Sequence, residues 1–183
     1  LMDTAGQIRR DQLLAHLDAL HQHLKALGGG LVVRPGPATS AVPIAVADCE
    51  ASALYFNADV SRFSVERDEA VTHSVAIPTR GFNGGTVHEP GAVLTKKGNL
   101  SQVFTPFYKA WTAVPLAPWP SPGKGRPVTM PGEAIPRPEG PTYQPPGESE
   151  AWQRVTAWLE HVDDYPDTRD RPAIPGTSEL SAD

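Results

Sequence analysis

Leucines recur at three- and four-residue steps in the first part of the chain. Between Ile8 and Leu27, the apolar positions are Leu13, Leu14, Leu17, Leu20, Leu24 and Leu27. This spacing places one apolar stripe along a single side of a helix. Three consecutive glycines at 28–30 then end the pattern, because glycine favours the position that follows a helix end. The pattern therefore predicts a helix over 8–27.

Short apolar runs alternate with amphipathic stretches in the next part of the chain. Residues 31–33, 53–57 and, more weakly, 82–87 predict strands, and 39–49 and 64–75 predict helices. This alternation is typical of a parallel sheet with crossover helices. We therefore expect an α/β fold with a Rossmann-like parallel sheet and flanking helices. Because three short strands make a small sheet, we also expect further strands upstream of Leu1.

Prolines crowd the region that follows. Between Pro115 and Pro146 there are eleven prolines in 32 residues, with four glycines among them. Such a composition builds no core and predicts an extended linker over 115–146. A further amphipathic helix is predicted over 149–162, with Trp152, Val155, Trp158, Leu159 and Val162 on its apolar side. We therefore expect one domain over 1–114 and the start of a second over 147–183.

The composition and net charge of the chain argue against several classes of protein. Its 183 residues include 16 Lys and Arg against 21 Asp and Glu, a net charge of -5, which argues against a freestanding nucleic-acid binder. A single cysteine, Cys49, excludes an internal disulfide and fits a reducing compartment. No apolar run approaches the length of a membrane span. We expect a cytoplasmic monomer that does not associate with membranes.

The sequence contains no clear motif for a metal site or for a dinucleotide-binding loop. His16, His21 and His23 lie in the first predicted helix, but no pair has the i,i+4 spacing of a metal clamp. Aspartates 163, 164 and 167 are more typical of a solvated helix end than of a metal site. The glycines at 28–30 precede a predicted strand, whereas a dinucleotide-binding loop follows a strand and opens a helix. The sequence thus lacks a Rossmann fingerprint.

Two adjacent hydroxyl residues near the end of the chain are a better candidate for a ligand site than these metal and dinucleotide motifs. Thr177 and Ser178 precede Leu180 and Ser181 in a pattern typical of a helix start. Hydroxyls and the free N–H groups of a starting helix can bind an anion such as a diphosphate. A plain N-cap accounts for the same residues, so the local pattern leaves both interpretations open.

Three stretches of the sequence carry distinctive motifs: Ala53–Val60 with Glu66–Asp68, Pro90–Thr95 with Val103–Trp111, and Tyr165–Pro172 with Gly176–Ser181. The second stretch contains the string Val-Phe-Thr-Pro-Phe-x-x-x-Trp. In this order and with these spacings, the three stretches resemble the photolyase/cryptochrome family, and the string is close to diagnostic for that family's α/β domain. The resemblance covers nearly the whole chain, and the Pro-rich segment is its least distinctive part.

The resemblance implies that 147–183 begins an all-α FAD-binding domain. It assigns Arg169 to a place near a DNA phosphate. By the resemblance, Glu179 stands where the family often has Arg and contributes main chain only. Because a carboxylate facing phosphates is unfavourable, we expect its side chain to point away. The residues assigned to FAD are Tyr165, Thr177, Ser178, Glu179, Leu180 and Ser181.

The resemblance also implies a reaction. Members of the family repair cyclobutane pyrimidine dimers in UV-damaged DNA, with reduced FAD as the light-excited electron donor, which is a carbon–carbon lyase activity. The alternatives are a cryptochrome-type blue-light photoreceptor and, outside the family, a nucleotide-binding or electron-transfer α/β domain. We expect this stretch of chain to be inactive by itself.

An antenna chromophore is a further implication of the resemblance. Folate-type members place a Glu where this chain has Asn99. Deazaflavin-type members have an Asp near Asn83 and Gly84. Neither carboxylate is present, so the sequence leaves the antenna type open.

Overall fold

The described part of the chain folds into helices and one small parallel sheet. The computed structural model describes residues 5–95, 97–118, 121, 123, 125–174 and 176–178. The predicted helices agree with the observed ones to within three residues at each end. The elements are α1 (Gln7–Ala26), α2 (Ala38–Asp48), β1 (Leu54–Ala58), α3 (Arg62–Ser74), β2 (Thr79–Asn83), α4 (Phe104–Thr112), α5 (Glu148–Leu159), a 3-10 turn (Val162–Asp164) and α6 (Tyr165–Thr168).

Strands β1 and β2 pair in parallel, with α3 as the crossover between them. Leu54 lies opposite Thr79, and Ala58 lies opposite Asn83. Helix α2 packs against α3, which in turn contacts β1. These elements form an α/β unit with a two-stranded parallel sheet and flanking helices, as the alternating pattern predicts.

Helix α3 begins two residues earlier than its apolar pattern indicates. The side chain of Ser61 accepts a hydrogen bond from the Ser64 N–H at 3.3 Å. An N-cap hydroxyl of this kind satisfies one of the N–H groups that a helix start leaves unpaired. The cap, and not the first apolar residue, sets where the helix starts.

Two strand predictions are wrong. Residues 31–33 are not in a strand in the described structure, although Val33 accepts one hydrogen bond from the Glu133 N–H at 2.9 Å. The weak strand predicted over 82–87 lies instead at Thr79–Asn83. It ends early because Asn83 turns the chain: its Oδ1 accepts from the Thr86 N–H at 3.2 Å and from Thr86 Oγ1 at 2.9 Å.

The chain divides into two compact units. One comprises Leu1–Val33 with Gly125–Asp183, and the other comprises Arg34–Lys124. The first contains α1, most of the Pro-rich segment, α5 and α6, and the second contains the sheet with α2, α3 and α4. The domain boundaries predicted at 114 and 146 stay a prediction. No helix in the described ranges has both the length and the apolar character needed to cross a membrane.

Part of the Pro-rich segment is docked on α1. Leu14 and Ala15 are buried in this unit, and Asp11 is only 2% exposed. Asp11 accepts hydrogen bonds from the Glu139 N–H at 2.9 Å and from Gln7 Nε2 at 3.0 Å. The Glu139 N–H, followed by the Gln7 amide, lowers the pKa of Asp11 against the opposing effect of burial. The ionised carboxylate thereby ties α1 to the segment around residue 139.

Candidate functional site

A pocket of about 570 Å³ lies beside α5 in the first unit. This volume is within the range of small-molecule sites in proteins. We call it the α5 pocket. The polar and aromatic residues that line it include Arg154, Trp158, His161, Thr168, Thr177 and Ser178.

Two side chains of α5 form one wall of the α5 pocket. Arg154 and Trp158 are four residues apart and so share a face of the helix. Arg154 Nη2 donates to the main-chain oxygen of Ser178 at 3.5 Å, and Arg154 Nη1 donates to Gln144 Oε1. The Trp158 ring meets Tyr165 edge to face, with centroids 6.0 Å apart. Tyr165 therefore borders the pocket through Trp158.

The segment that carries the two hydroxyls is fixed by contacts with α6. Thr168 Oγ1 donates to the Asp164 carbonyl at 2.9 Å and reaches the Gly176 carbonyl at 3.5 Å. A Cβ added to Gly176 would lie 2.5 Å from the Thr168 Cβ. Glycine is thus required directly before Thr177 and Ser178.

The structure brings together some of the predicted flavin residues. Thr177 and Ser178 line the α5 pocket, and Tyr165 lies next to it. Glu179, Leu180 and Ser181 lie outside the described residues. Two lining residues, Arg154 and His161, were not predicted. The spacing of Arg154 from Trp158 on the amphipathic helix was the available signal, since it places the guanidinium on the face that carries the tryptophan.

Arg169 lies at the surface beyond α6. Its Nε is 3.4 Å from the Asp170 carboxylate, and both side chains are more than half exposed. An exposed ion pair between neighbouring residues is weak. The guanidinium can therefore exchange its partner for another anion at little cost.

A second cavity, of about 810 Å³, lies in the second unit. It opens where β1 and β2 end, and the carboxyl ends of parallel strands are where ligands bind in open α/β sheets. We call it the strand-end cleft. The residues that line it include Asp59, Arg67, Arg80, Phe82, Asn83 and Gly84.

Charged groups of both signs meet in the strand-end cleft. Asp59 accepts from the Ser61 N–H at 2.9 Å and from Ser64 Oγ at 3.1 Å. These two bonds, in that order, lower the pKa of Asp59, and the charge of Arg67 adds to the effect. The guanidinium of Arg80 lies 4.7 Å from the centre of the Phe82 ring. The cleft combines an ionised acid, cations and an aromatic face.

The two antenna marker positions lie in different surroundings. Asn83 and Gly84 line the strand-end cleft. A Cβ on Gly84 would lie 2.8 Å from the Asn57 side chain, so the chain passes close to β1 there. Asn99 closes a turn, in which its N–H donates to Thr95 Oγ1 at 3.2 Å and its carbonyl accepts from the Thr95 N–H at 2.8 Å.

The aromatic residues of α4 divide between packing and surface. The sequence predicts that Phe104, Phe107 and Trp111 pack together on one face. Phe107 and Trp111 are half-buried, and Trp111 contacts the His88 ring at 5.0 Å. Phe104 is 73% exposed and stacks on Tyr108, with ring centroids 5.7 Å apart. In the described part of the chain, Phe104 is therefore not packed, whereas Phe107 and Trp111 are partly covered, as predicted.

Comparison with known proteins identifies the family. The family model for DNA photolyase matches residues 1–123, about two thirds of the chain. The chain therefore belongs to the DNA photolyase family.

Individual relatives extend the similarity beyond the matched region. The chain is 30% identical to an uncharacterized 31.6 kDa protein of Synechococcus sp. strain PCC 6716, covering 95% of this chain and 66% of the relative. It is 32% identical to a deoxyribodipyrimidine photo-lyase of Vibrio cholerae, covering 95% and 41%. It is 30% identical to a cryptochrome DASH of Gloeobacter violaceus, covering 72% and 28%. The chain thus spans about two fifths of the length of the Vibrio photo-lyase.

Proposed function

We propose that the protein carrying this sequence repairs cyclobutane pyrimidine dimers in UV-damaged DNA with light, using reduced FAD. The observation that carries the proposal is the α5 pocket. Thr177 and Ser178, whose hydroxyls the family resemblance assigns to FAD, line this pocket together with Arg154, and Arg154 donates to the main-chain oxygen of Ser178. Family membership supplies the reaction class.

The groups in the α5 pocket fit the diphosphate portion of FAD. Arginine is well matched to phosphate oxygens because its donors are arranged in a rigid fork. The hydroxyls of Thr177 and Ser178 add further donors, and Trp158 offers an apolar wall for the less polar part of the ligand. Asp164, which also lines the pocket, disfavours an anion and should face away from it. When bound, reduced FAD supplies the electron that splits the dimer.

On this proposal, α5 and α6 begin the helical FAD-binding domain, and the surface beyond α6 meets DNA. Arg169 would release Asp170 and pair with a phosphate. Its exposure and its weak ion pair support this role. A phosphate contact of this kind positions the protein on DNA without specifying sequence. Extrusion of the lesion from the duplex costs less than extrusion of a normal pair, because the dimer pairs poorly.

The strand-end cleft is our proposed antenna site. Its position at the ends of β1 and β2 and its Arg80–Phe82 pair support a planar aromatic ligand. The marker positions Asn83 and Gly84 line the cleft, but neither carries the Asp of deazaflavin-type members, so the pigment type is left open between a deazaflavin and a folate. Arg80→Ala should weaken retention of the pigment about fivefold, the effect of one cation–π contact, and both pigment types serve as probes. Equal retention of both by the variant would contradict this assignment.

A cryptochrome-type photoreceptor is the second candidate. The similarity to the Gloeobacter cryptochrome DASH over 72% of this chain favours it. Such a protein shares the flavin and the fold and differs in the outcome of excitation.

Repair of lesion-containing DNA in light and darkness separates the candidates. The full-length protein should restore dimer-containing DNA under blue or near-UV light and leave it unrepaired in darkness. Light-driven flavin reduction without repair would favour the photoreceptor. Equal repair in both conditions would exclude the proposed function.

A further inference from the structure

Gln12 of α1 pairs with the main chain of Gln144. Its Nε2 donates to the Gln144 carbonyl at 3.0 Å, and its Oε1 accepts from the Gln144 N–H at 3.0 Å. Both bonds are partly buried. A side-chain amide that bonds both polar groups of one residue fixes its main chain as a neighbouring strand would.

Two other bonds from α1 flank this pair. Asp11 accepts from the Glu139 N–H at 2.9 Å, and His16 Nδ1 accepts from the Gly147 N–H at 3.2 Å. Three side chains of α1 thus bond main-chain groups at 139, 144 and 147. Gly147 is the N-cap residue of α5, so these contacts end where the helix that lines the pocket begins.

The contact continues from Gln144 into the α5 pocket. Gln144 Oε1 accepts from Arg154 Nη1, and Arg154 Nη2 donates to the Ser178 carbonyl. Gln12, Gln144, Arg154 and Ser178 are therefore joined in series by hydrogen bonds. An arginine side chain has many rotamers, and bonds at both nitrogens restrict it to few of them.

We propose that Gln12 is a positioning residue for the flavin-binding segment. By fixing Gln144, it orients Arg154, and Arg154 orients the main chain at Ser178. Gln12 lies 132 residues from Gln144 in the sequence and is not among the lining residues of the pocket that carry the proposed function. The proposal rests on that function for its biological meaning, whereas the hydrogen-bonded series can be tested without flavin.

The test measures how accessible position 177 is. Thr177→Cys is introduced with Cys49→Ser, which removes the exposed native thiol, and the rate of reaction with a thiol reagent is measured in the full chain without FAD. Gln12→Ala should raise the rate about fivefold, the effect of losing the single hydrogen bond between Arg154 and Ser178 at the end of the series. The matched control is Gln22→Ala on the same helix, where the amide is exposed and bonds Asp18 at 3.4 Å; it should leave the rate unchanged.

Further variants test the order of the series. Gln144→Ala removes the Arg154 contact and should match Gln12→Ala, and the double variant should be less than additive. Gln12→Glu keeps the acceptor for the Gln144 N–H but replaces the donor to the Gln144 carbonyl by a second acceptor, so it should also raise the rate. This variant also covers the case in which Gln12→Ala unfolds α1. If Gln12→Ala and Gln12→Glu leave the rate unchanged, or if Gln12→Ala and Gln144→Ala are additive, the proposal is overturned.

A parallel FAD titration of the full-length protein keeps the two proposals distinct. Altered reactivity at position 177 without FAD binding would sustain the positioning role and remove the flavin function. Unaltered reactivity at position 177 with normal FAD binding would remove the positioning role and sustain the flavin function.

Discussion

Gly176 packs against Thr168 with no room for a side chain between them. A Cβ built on Gly176 would lie 2.5 Å from the Thr168 Cβ, which is closer than real carbon atoms approach. Thr168 is itself anchored to the Asp164 carbonyl at 2.9 Å. This close contact sets the position of Thr177 and Ser178, the two hydroxyl residues that follow Gly176.

Replacing Gly176 with alanine should destabilise the first unit. The added methyl group must displace Thr168 or the segment at 177–178, and overpacking of this kind costs about 1–3 kcal/mol. Urea unfolding should show the loss. The control is Gly125→Ala, where an added Cβ meets nothing within 4 Å, and which should be neutral or slightly stabilising. Equal stability of Gly176→Ala and the native chain would show that the contact between residues 176 and 168 accommodates the methyl group without loss of unfolding free energy.

Acidification should weaken the attachment of α1 to the segment near residue 139. The Glu139 N–H lowers the pKa of Asp11 in the folded chain. A lowered pKa means that the stabilisation is present above the ordinary value of 3.8 and is lost as the pH falls through the folded value. Asp11→Asn should therefore destabilise the chain at pH 7, with the difference shrinking below about pH 4.

Urea unfolding of both proteins across this pH range checks the expectation. Asp18→Asn, at an exposed position of the same helix, is the matched control and should differ little from the native chain at either pH. Asp59, whose pKa is also lowered, is present in all three proteins, so its titration cancels from the comparison. A constant difference between Asp11→Asn and the native chain from pH 7 to pH 3 would refute the role of ionised Asp11.

Two aromatic residues of α4 should respond differently to truncation. Trp111 is half-buried against His88, so Trp111→Ala should lower the free energy of unfolding by about 2 kcal/mol, less than for a fully buried ring. Phe104 is 73% exposed, so Phe104→Ala should change the free energy of unfolding by no more than about 0.5 kcal/mol. Thermal unfolding compares the two. Loss of pigment or DNA binding in Trp111→Ala without loss of stability would show a binding role instead.

Arg169→Ala should weaken binding of the full-length protein to all duplexes alike. A single phosphate contact contributes about one unit to the slope of log affinity against log salt concentration. The slope should therefore become shallower by about one. The control, Arg62→Ala, removes an arginine whose side chain is 92% exposed in the other unit. A changed preference for one DNA sequence, or an unchanged slope, would argue against a phosphate contact.

The 183-residue chain by itself should bind FAD with a dissociation constant above about 1 μM. Each polar contact contributes about 1 kcal/mol net, whereas a 1 μM complex requires about 8 kcal/mol. The hydroxyls of Thr177 and Ser178 with Arg154 fall short of that sum. Flavin fluorescence during titration measures the affinity. A stoichiometric complex tighter than 1 μM would show that the α5 pocket already supplies the apolar enclosure.

The hydrophobic pattern predicted α1, α2, α3, α5 and the α/β class, whereas α4 and α6 were not among the predicted helices. Helices α1 and α3 satisfy their backbone hydrogen bonds locally, so their spacing alone indicates them. The motif Val103–Trp111 was equally informative, because it is a contiguous string within the residues that the family model matches. The role assigned to the string Gly176–Ser181 stays a prediction. The position of β2 was not predictable in this way. Its residues, Thr79 to Asn83, include an arginine and a glycine, and pairing with β1 is what makes them a strand.

The sequence by itself determined four of the helices and the family, whereas the tertiary structure decided where β2 lies and which residues meet. Asp11 looks like an ordinary surface residue of α1, yet it is buried because the Glu139 N–H, 128 residues away, satisfies its charge. Gln12 and Gln144 carry no mark of their pairing, and Arg154 joins Ser178 only once α5 and the segment after α6 lie side by side. Phe104 belongs to the same periodic pattern as Phe107, yet Phe104 is exposed and Phe107 is half-buried. Periodicity reports a helix face, whereas burial and long-range hydrogen bonds depend on the path of the whole chain.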